Sequence, residues 1–351
     1  MFFFTVALCA SAALANPLKR FSGLTVEVTG PESVASVADL TFTAAITNTG
    51  SEDVKVLKYG TILDSLPTRS FTVTKDGANV AFTGVKLSVS LEDTDTAFTT
   101  IPAGETVTVS HDVSAIYDYA ASGAGTFSFA PITDFKVAGS EDALVPISGL
   151  AKVTVDAGQV SVDVADVTKR EMHEKRATAS CSNTSQRSFI SSSYTEGKAL
   201  ASQASSYISS RGASDSLYTA YFGATATSRV TSVLNAVANE NSSSRTLSCT
   251  DSYGVCDGNV IAYTVIATTN IYYCSIFFNE RATTALCSGT TVASRSIRGG
   301  TTLHELTHAV ADTDDVTYGC SADQALSDAN SVRNADNYNC FTTQVYANTQ
   351  C

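Results

Sequence analysis

Between Cys9 and Cys181 the chain has no cysteine, so its N-terminal half can offer a metal no thiolate and can form no disulfide. Histidine is scarce too, with four in 351 residues. No C-x-x-C spacing occurs, which speaks against a cysteine-built metal cluster beyond any histidine site. Basic charge is the minority sign: 22 lysines and arginines against 34 acidic residues leave a net charge of −12. Such a balance argues against a nucleic-acid partner and at most attracts basic polypeptides. Long hydrophobic runs are missing as well. Only Met1 to Ala15 (Phe2, Phe3, Phe4, Val6, Leu8, ending Ala13-Leu14-Ala15) is strongly apolar, and it falls short of the ~20 residues that span a bilayer. Residues 1–15 read as a secretory signal with a small-residue cleavage site, although the first residues carry no positive charge. The expectation is a secreted, extracellular protein with no membrane anchor.

Eight cysteines (181, 249, 256, 274, 287, 320, 340, 351) lie in the C-terminal half. An even set confined to one half of an exported chain reads as a disulfide framework. Cys256 and Cys274 bracket a strand-rich stretch and are expected to pair. Basic pairs mark the junction of the halves: Lys169-Arg170 and Lys175-Arg176 stand just before the first framework cysteine, where a kexin-type protease would cut. Lys19-Arg20 could be a further trimming site. Before the junction, from about Phe21 to Val164, apolar residues recur with period two. Leu40, Phe42, Ala44 and Ile46 alternate with polar residues, and Phe71 and Val73 precede an Asp76-Gly77 turn. Short alternating strands of this kind suggest an all-β, sandwich-like domain of immunoglobulin-like type. After Ala177 helical spacing takes over around Tyr194 to Ile208 and Arg229 to Ala238. Asn259 to Phe278 reads as one or two strands, and another helix is expected from about Ala322 towards Asn348. Asn183 and Asn241 head glycosylation sequons.

One motif carries chemistry. His304-Glu305-Leu306-Thr307-His308 holds the last two histidines of the chain. On a helix, positions i and i+4 share a face, so both imidazoles can grip one zinc ion with the glutamate aimed at a bound water. Gly299-Gly300 is expected to break the chain before this helix, with Thr301 or Thr302 as its cap. A catalytic zinc needs a third protein ligand. After Arg176 no further histidine exists, and no glutamate follows Glu305. A thiolate is possible, but the cysteines are better explained as disulfides. Aspartate remains, with Asp312, Asp314 and Asp315 the nearest candidates and Asp323 beyond them.

The run Asp312-Thr313-Asp314-Asp315-Val316-Thr317-Tyr318-Gly319 after the H-E-x-x-H motif resembles the aspzincin signature of deuterolysins, secreted fungal neutral zinc metalloproteases. The resemblance implies Asp315 as third zinc ligand beside His304 and His308, Glu305 as general base and Tyr318 as a second catalytic residue. It implies a zincin-like α+β catalytic domain at 177–351 and a β-rich propeptide at 16–176. By the same resemblance Cys181 pairs with Cys249 and Cys287 with Cys351, which leaves Cys320 for Cys340. Asp312 departs from the signature, which has glycine there. Aspartate tolerates a positive φ better than most residues, so the turn is expected to survive.

The reading is a monomeric secreted zinc endopeptidase with one Zn2+, made as a zymogen and inclined to basic protein or peptide substrates by its acidic cleft. A cysteine-free propeptide must inhibit sterically or through a weak ligand. His111, His173 or a carboxylate could serve, though a plain surface position is the simpler expectation for each. The alternative is a non-enzymatic secreted binding protein with a β-sandwich module and a disulfide-rich metal-binding half. Glu305 separates the two, because a metal scavenger has no use for an unliganded glutamate between its histidines.

Overall fold

The computed structural model describes residues 23–90, 94–138, 151–168, 172 and 181–351. The expected signal, Lys19-Arg20, His173 and both basic pairs at 169–170 and 175–176 lie outside the described residues.

Among the described residues up to 164 the chain is mostly extended. Its strands are β1 (Leu24–Thr29), β2 (Ser33–Val34), β3 (Thr41–Asn48), β4 (Val54–Leu57), β5 (Phe71–Lys75), β6 (Ala78–Asn79) and β7 (Val85–Val89). After the short helix α1 (Thr94–Ala97) come β8 (Phe98–Ile101) and β9 (Thr106–Asp112), then α2 (Tyr119–Ser122). β10 (Gly125–Pro131), β11 (Asp134–Ala138), β12 (Ala151–Thr154) and β13 (Val160–Val164) complete this half. Three sheets result, ordered β1-β3-β9, β2-β13-β10-β5-β6 and β12-β11-β4-β8. Period two explains which faces meet. Along β3, Phe42, Ala44 and Ile46 are buried while Thr41 and Thr43 face solvent. Phe42, Phe71, Phe127, Phe129 and Phe135 join one core with Val54 and Ile101, so all three sheets contribute to it. The expected hairpin is present. Asp76 (φ 51°) and Gly77 (φ 80°) both take the positive φ that lets a two-residue turn follow strand twist.

β7 behaves differently. All five of its residues are buried, because it leaves the sheets of its own half and joins those of the other. There the order is β14 (Leu247–Ser248), β16 (Asn270–Tyr273), β15 (Val260–Val265), β7. β7 runs antiparallel to β15 and occupies the edge of that sheet.

Helices build the rest of the C-terminal half. α3 (Thr184–Arg211) is capped by the Asn183 side chain, which accepts from the amides of Ser185 and Gln186. α4 (Ser216–Phe222), not anticipated from sequence, is capped in the same way by Asp215. α5 (Thr227–Ala238) and α6 (Arg298–Ala311) follow. Leu200, Leu234, Ile271, Leu303, Leu306, Tyr338 and Phe341 share one apolar core.

Two local expectations are corrected. Gly299 and Gly300 do not interrupt the chain; they form the first turn of α6, which starts at Arg298. Their lack of a side chain is needed for packing. A Cβ on Gly299 would stand 2.7 Å from Glu196 Cβ, and one on Gly300 2.2 Å from Asn339 Oδ1. Thr301 and Thr302 therefore cap nothing, and instead donate to Glu280 and Ser193. The single helix expected over 322–348 is broken into α7 (Cys320–Asp323), α8 (Asp328–Ser331) and α9 (Ala335–Gln350). The break at Asn334 has a use, since its Oδ1 accepts from the amides of Val316 and Thr317 and holds the loop beyond Asp315. Four disulfides join Cys181–Cys249, Cys256–Cys274, Cys287–Cys351 and Cys320–Cys340, the pairs expected above. Among the described residues no helix is long and apolar enough to cross a membrane.

Candidate metal centre

The residues of the motif sit on α6, buried between α3, α9 and the sheet, and His304, Glu305 and His308 are almost wholly enclosed. Their helical spacing turns both imidazoles to one side. α6 ends in Asp312, whose φ of 51° and ψ of 36° are left-handed, so aspartate does take the turn that glycine makes in the signature. Three residues on, the chain has reversed and Asp315 faces the two rings.

His304 Nε2, His308 Nε2 and Asp315 Oδ1 form a near-equilateral triangle. The nitrogens are 3.1 Å apart, and the oxygen lies 3.1 Å from one and 3.2 Å from the other. Three tetrahedral ligands of a zinc ion at about 2.0–2.1 Å stand about 3.3 Å from one another. Proton placement supports the same reading. His308 Nδ1 donates to the Thr313 carbonyl at 2.7 Å, which leaves Nε2 with a lone pair aimed at the Asp315 carboxylate. Two lone pairs held face to face repel unless a cation joins them. Asp315 Oδ1 is buried with the two imidazole nitrogens beside it, and Glu305 Oε1 is buried without a hydrogen-bond partner. The donor set, two imidazoles and one carboxylate, suits zinc.

Charge at the site follows from burial set against neighbouring groups. Burial works against ionisation of Asp315, yet the two histidines hold its carboxyl far below the usual range. Burial also disfavours a charged His304, but Asp315 and Asp336 outweigh it and raise the imidazole to about 10. The pocket thus welcomes one extra positive charge beside His304. His308 is shifted the other way, with burial the main cause. Glu305 is pushed up to about 8 by burial, against the pull of His304 and of Thr264. Thr264 on β15 donates to Glu305 Oε2 at 2.7 Å and fixes that carboxylate, leaving Oε1 open. Tyr318 lies buried with its ring stacked on His304, and burial raises its pKa well above 10. Its hydroxyl is therefore a donor, and it donates to the Leu87 carbonyl at 3.0 Å.

The other acidic candidates go elsewhere. Asp312 Oδ1 pairs with Lys86 at 2.6 Å. Asp314 is partly buried among Lys86, Arg69 and Arg333, which hold its carboxyl below its usual value despite burial. Asp323 is buried at 3.0 Å from Asn334 Nδ2; burial and the neighbouring Asp336 make it keep its proton. His111 is not a surface residue. It is buried with Nε2 3.0 Å from the Ile62 carbonyl and its ring edge-on to Phe71.

Several residues of the site have no signal in the sequence. Asp336 on α9 is fully buried, with Oδ1 2.6 Å from Arg295 Nη2 and 3.6 Å from His304 Nδ1, and Oδ2 accepting from the Gly319 amide at 2.6 Å. Arg295 also lies over the Tyr318 ring. Neither residue belongs to a local motif; each is placed by tertiary packing.

Comparison with known proteins agrees with this geometry. A model described as the deuterolysin metalloprotease (M35) family matches residues 3–351. A neutral protease 2 homolog of Botryotinia fuckeliana is 33% identical over 97% of this chain and 97% of its own length. A peptidyl-Lys metalloendopeptidase of Armillaria mellea is 29% identical over 97% of this chain and 96% of its own. Penicillolysin of Penicillium citrinum is 31% identical over 89% and 90%.

Proposed function

The chain belongs to the deuterolysin metalloprotease (M35) family, and we propose that His304, His308 and Asp315 hold its single zinc ion while Glu305 acts as general base. It is a zinc metallopeptidase that hydrolyses peptide bonds in proteins or peptides. The observation that carries the assignment of residues is the 3.1–3.2 Å triangle of ligand atoms beside the open Glu305 Oε1.

Zinc, when bound, supplies Lewis acidity to a carbonyl and to water in the site. The protein's own groups do the rest. Glu305 is held by Thr264 through Oε2, so Oε1 can take the proton of the attacking water and later pass it to the leaving amine. Burial raises the affinity of Glu305 for a proton, which suits a base that must also give that proton back. The Tyr318 hydroxyl already donates to a peptide carbonyl. It would do the same for the substrate oxygen as negative charge grows there, an interaction typically worth about 3–4 kcal/mol in a transition state.

We further propose that the enzyme is secreted, with residues 1–15 as signal, and made as a zymogen, with 16–176 as a β-rich, sandwich-like propeptide and 177–351 as the catalytic domain. One core made within each half supports this division, with a third cluster around β7 and β15 shared between the halves, and a kexin-type protease would cut after Arg176. A preference for basic substrates is supported by Asp312 and Asp314 at the rim of the site, both drawn to a lysine. The binding-protein alternative does not fit a chain of this family. Digestion of a mixed peptide library, with and without a zinc chelator, tests the reading. Cleavage should vanish with the chelator and return with zinc, and chelator-resistant cleavage would refute it.

A further inference from the structure

The strand seated at this site belongs, by chain order, to the other half of the molecule. β6 and β8, on either side of β7, lie in sheets of the N-terminal half, whereas β7 pairs with β15 from Val85↔Val265 to Val89↔Val260. An extended segment added antiparallel to a sheet edge is how a peptide docks on a protein. The contacts of β7 are those of a peptide with reactive groups. The Leu87 amide donates to Asp315 Oδ2 at 2.7 Å. The Leu87 carbonyl accepts from Tyr318 at 3.0 Å and lies 3.1 Å from His304 Nε2. The next amide, that of Ser88, lies against the Glu305 carboxylate. One peptide bond, Leu87–Ser88, therefore has its oxygen at the ligand cluster and its nitrogen at the proposed base.

Both flanks of that bond are also held. Lys86 is almost wholly buried, and its ammonium lies 2.6 Å from Asp312 Oδ1, 3.2 Å from Asp314 Oδ1 and 2.7 Å from the Thr313 carbonyl. A lysine is buried so deeply only when its charge is matched. Two carboxylates and a carbonyl make a pocket fitted to an ammonium. Beyond the bond, Arg295 donates to the Val89 carbonyl at 3.0 Å. The Ser88 hydroxyl, in contrast, is buried without a partner, so its pocket is not built around serine.

Resting on the peptidase reading above, we infer that β7 fills the substrate cleft as an internal, substrate-like strand, with Leu87–Ser88 at the reacting position and Lys86 in an Asp312/Asp314 subsite. The edge of β15 is then the surface on which peptides bind. Asp312 and Asp314 select a lysine or arginine immediately before the residue that supplies the scissile carbonyl. The N-terminal half keeps the enzyme silent by a backbone carbonyl and a strand, with no side-chain ligand to the metal among its described residues.

The test uses the full-length chain carrying Glu305→Gln and loaded with zinc, with a fluorescent peptide of residues 83–90 as probe, read by anisotropy. The parent should bind the probe at least tenfold more weakly than the same chain with Leu87→Pro, which displaces the strand. Lys86→Glu, which sets a like charge against Asp312 and Asp314, should act in the same direction if the proline variant fails to fold. Amide exchange at 260–265 should rise in either variant. A probe with alanine in place of Lys86 should bind the opened chain at least tenfold more weakly. Equal probe binding by parent and strand variants would overturn the occlusion, and equal binding of the two probes would overturn the subsite. Should no version containing Glu305 hydrolyse peptides, the peptidase reading fails while the binding comparison still decides this one.

Discussion

Replacing Asp336 by asparagine should cost the protein zinc affinity and stability by separable amounts. The carboxylate is fully buried, 2.6 Å from Arg295 and 3.6 Å from the outer nitrogen of His304. Against burial, Arg295 and His304 hold it down at about 2, so it is charged at neutral pH. Losing that charge strands the Arg295 guanidinium, and breaking a buried pair in this way costs about 3–5 kcal/mol. Asp323, protonated beside it, can ionise and return part of this, so a loss of about 2–4 kcal/mol is expected. Zinc affinity should fall about 10- to 100-fold, the usual effect of removing a carboxylate that orients a ligating imidazole. Chemical denaturation of the zinc-free protein reads the first quantity, and competition with a chromophoric chelator reads the second. The double variant Arg295→Met, Asp336→Asn parts the two roles. With both charges gone, stability should return to within about 1 kcal/mol of wild type, since a buried pair replaced by neutral groups is often tolerated, while zinc affinity stays low. If Asp336→Asn binds zinc within about threefold of wild type, far less than an orienting carboxylate is worth, Asp336 is only the counter-ion of Arg295.

Three further outcomes are expected. Glu305→Gln should keep its zinc but lose hydrolysis by about 10²–10⁴-fold, the usual contribution of a general base, and a near-normal rate on casein would exclude that role. Asp315→Ala should lose both metal and activity; full zinc occupancy by metal analysis would move the third ligand to Asp312, Asp314 or Asp323. Asp64 is buried and its pKa rises from 3.8 to about 6, burial outweighing its bonds from Thr68, Leu66 and Gly60. The folded state therefore holds that proton more tightly than the unfolded chain. Its contribution favours folding below about pH 4 and is lost as pH rises through 6, a decline on the order of 3 kcal/mol. Asp64→Asn should flatten the stability profile across that window, and identical slopes in the two proteins would contradict the shift.

The helix of the centre is legible from sequence because its chemistry is local: His304 and His308 are one turn apart, and the signature brings Asp315 back within a few residues. Family resemblance gives Cys181–Cys249 and Cys287–Cys351, the bracketed strand stretch gives Cys256–Cys274, and Cys320–Cys340 is what remains. Alternation marks β3 and the β5–β6 turn. The remainder is written in long-range contacts. Val85, Leu87 and Val89 alternate as plainly as any strand here, yet alternation cannot tell which sheet a strand will join. Nor can it show that Lys86 will find its partners 226 residues away. Gly299 and Gly300 looked like a break because a glycine pair has two uses, a turn or a close approach between helices, and only the packing of Glu196 and Asn339 against them decides. Arg295 and Asp336 lack any local pattern for the same reason.

Seating the β7 strand against α6 and β15 also orders events in time. Leu87 precedes His304 by 217 residues. At ordinary rates of synthesis the strand leaves the ribosome roughly 10–40 s before His304, the first of the proposed zinc ligands, does. The sheet edge that receives it, residues 260–265, also emerges before α6. When the last proposed ligand, Asp315, is finally made, the cleft it completes can already have its occupant waiting. A nascent chain built in this order need never present an open, metal-loaded site to its neighbours. A rearrangement of the gene that placed the C-terminal half first would keep every contact described here and lose that protection.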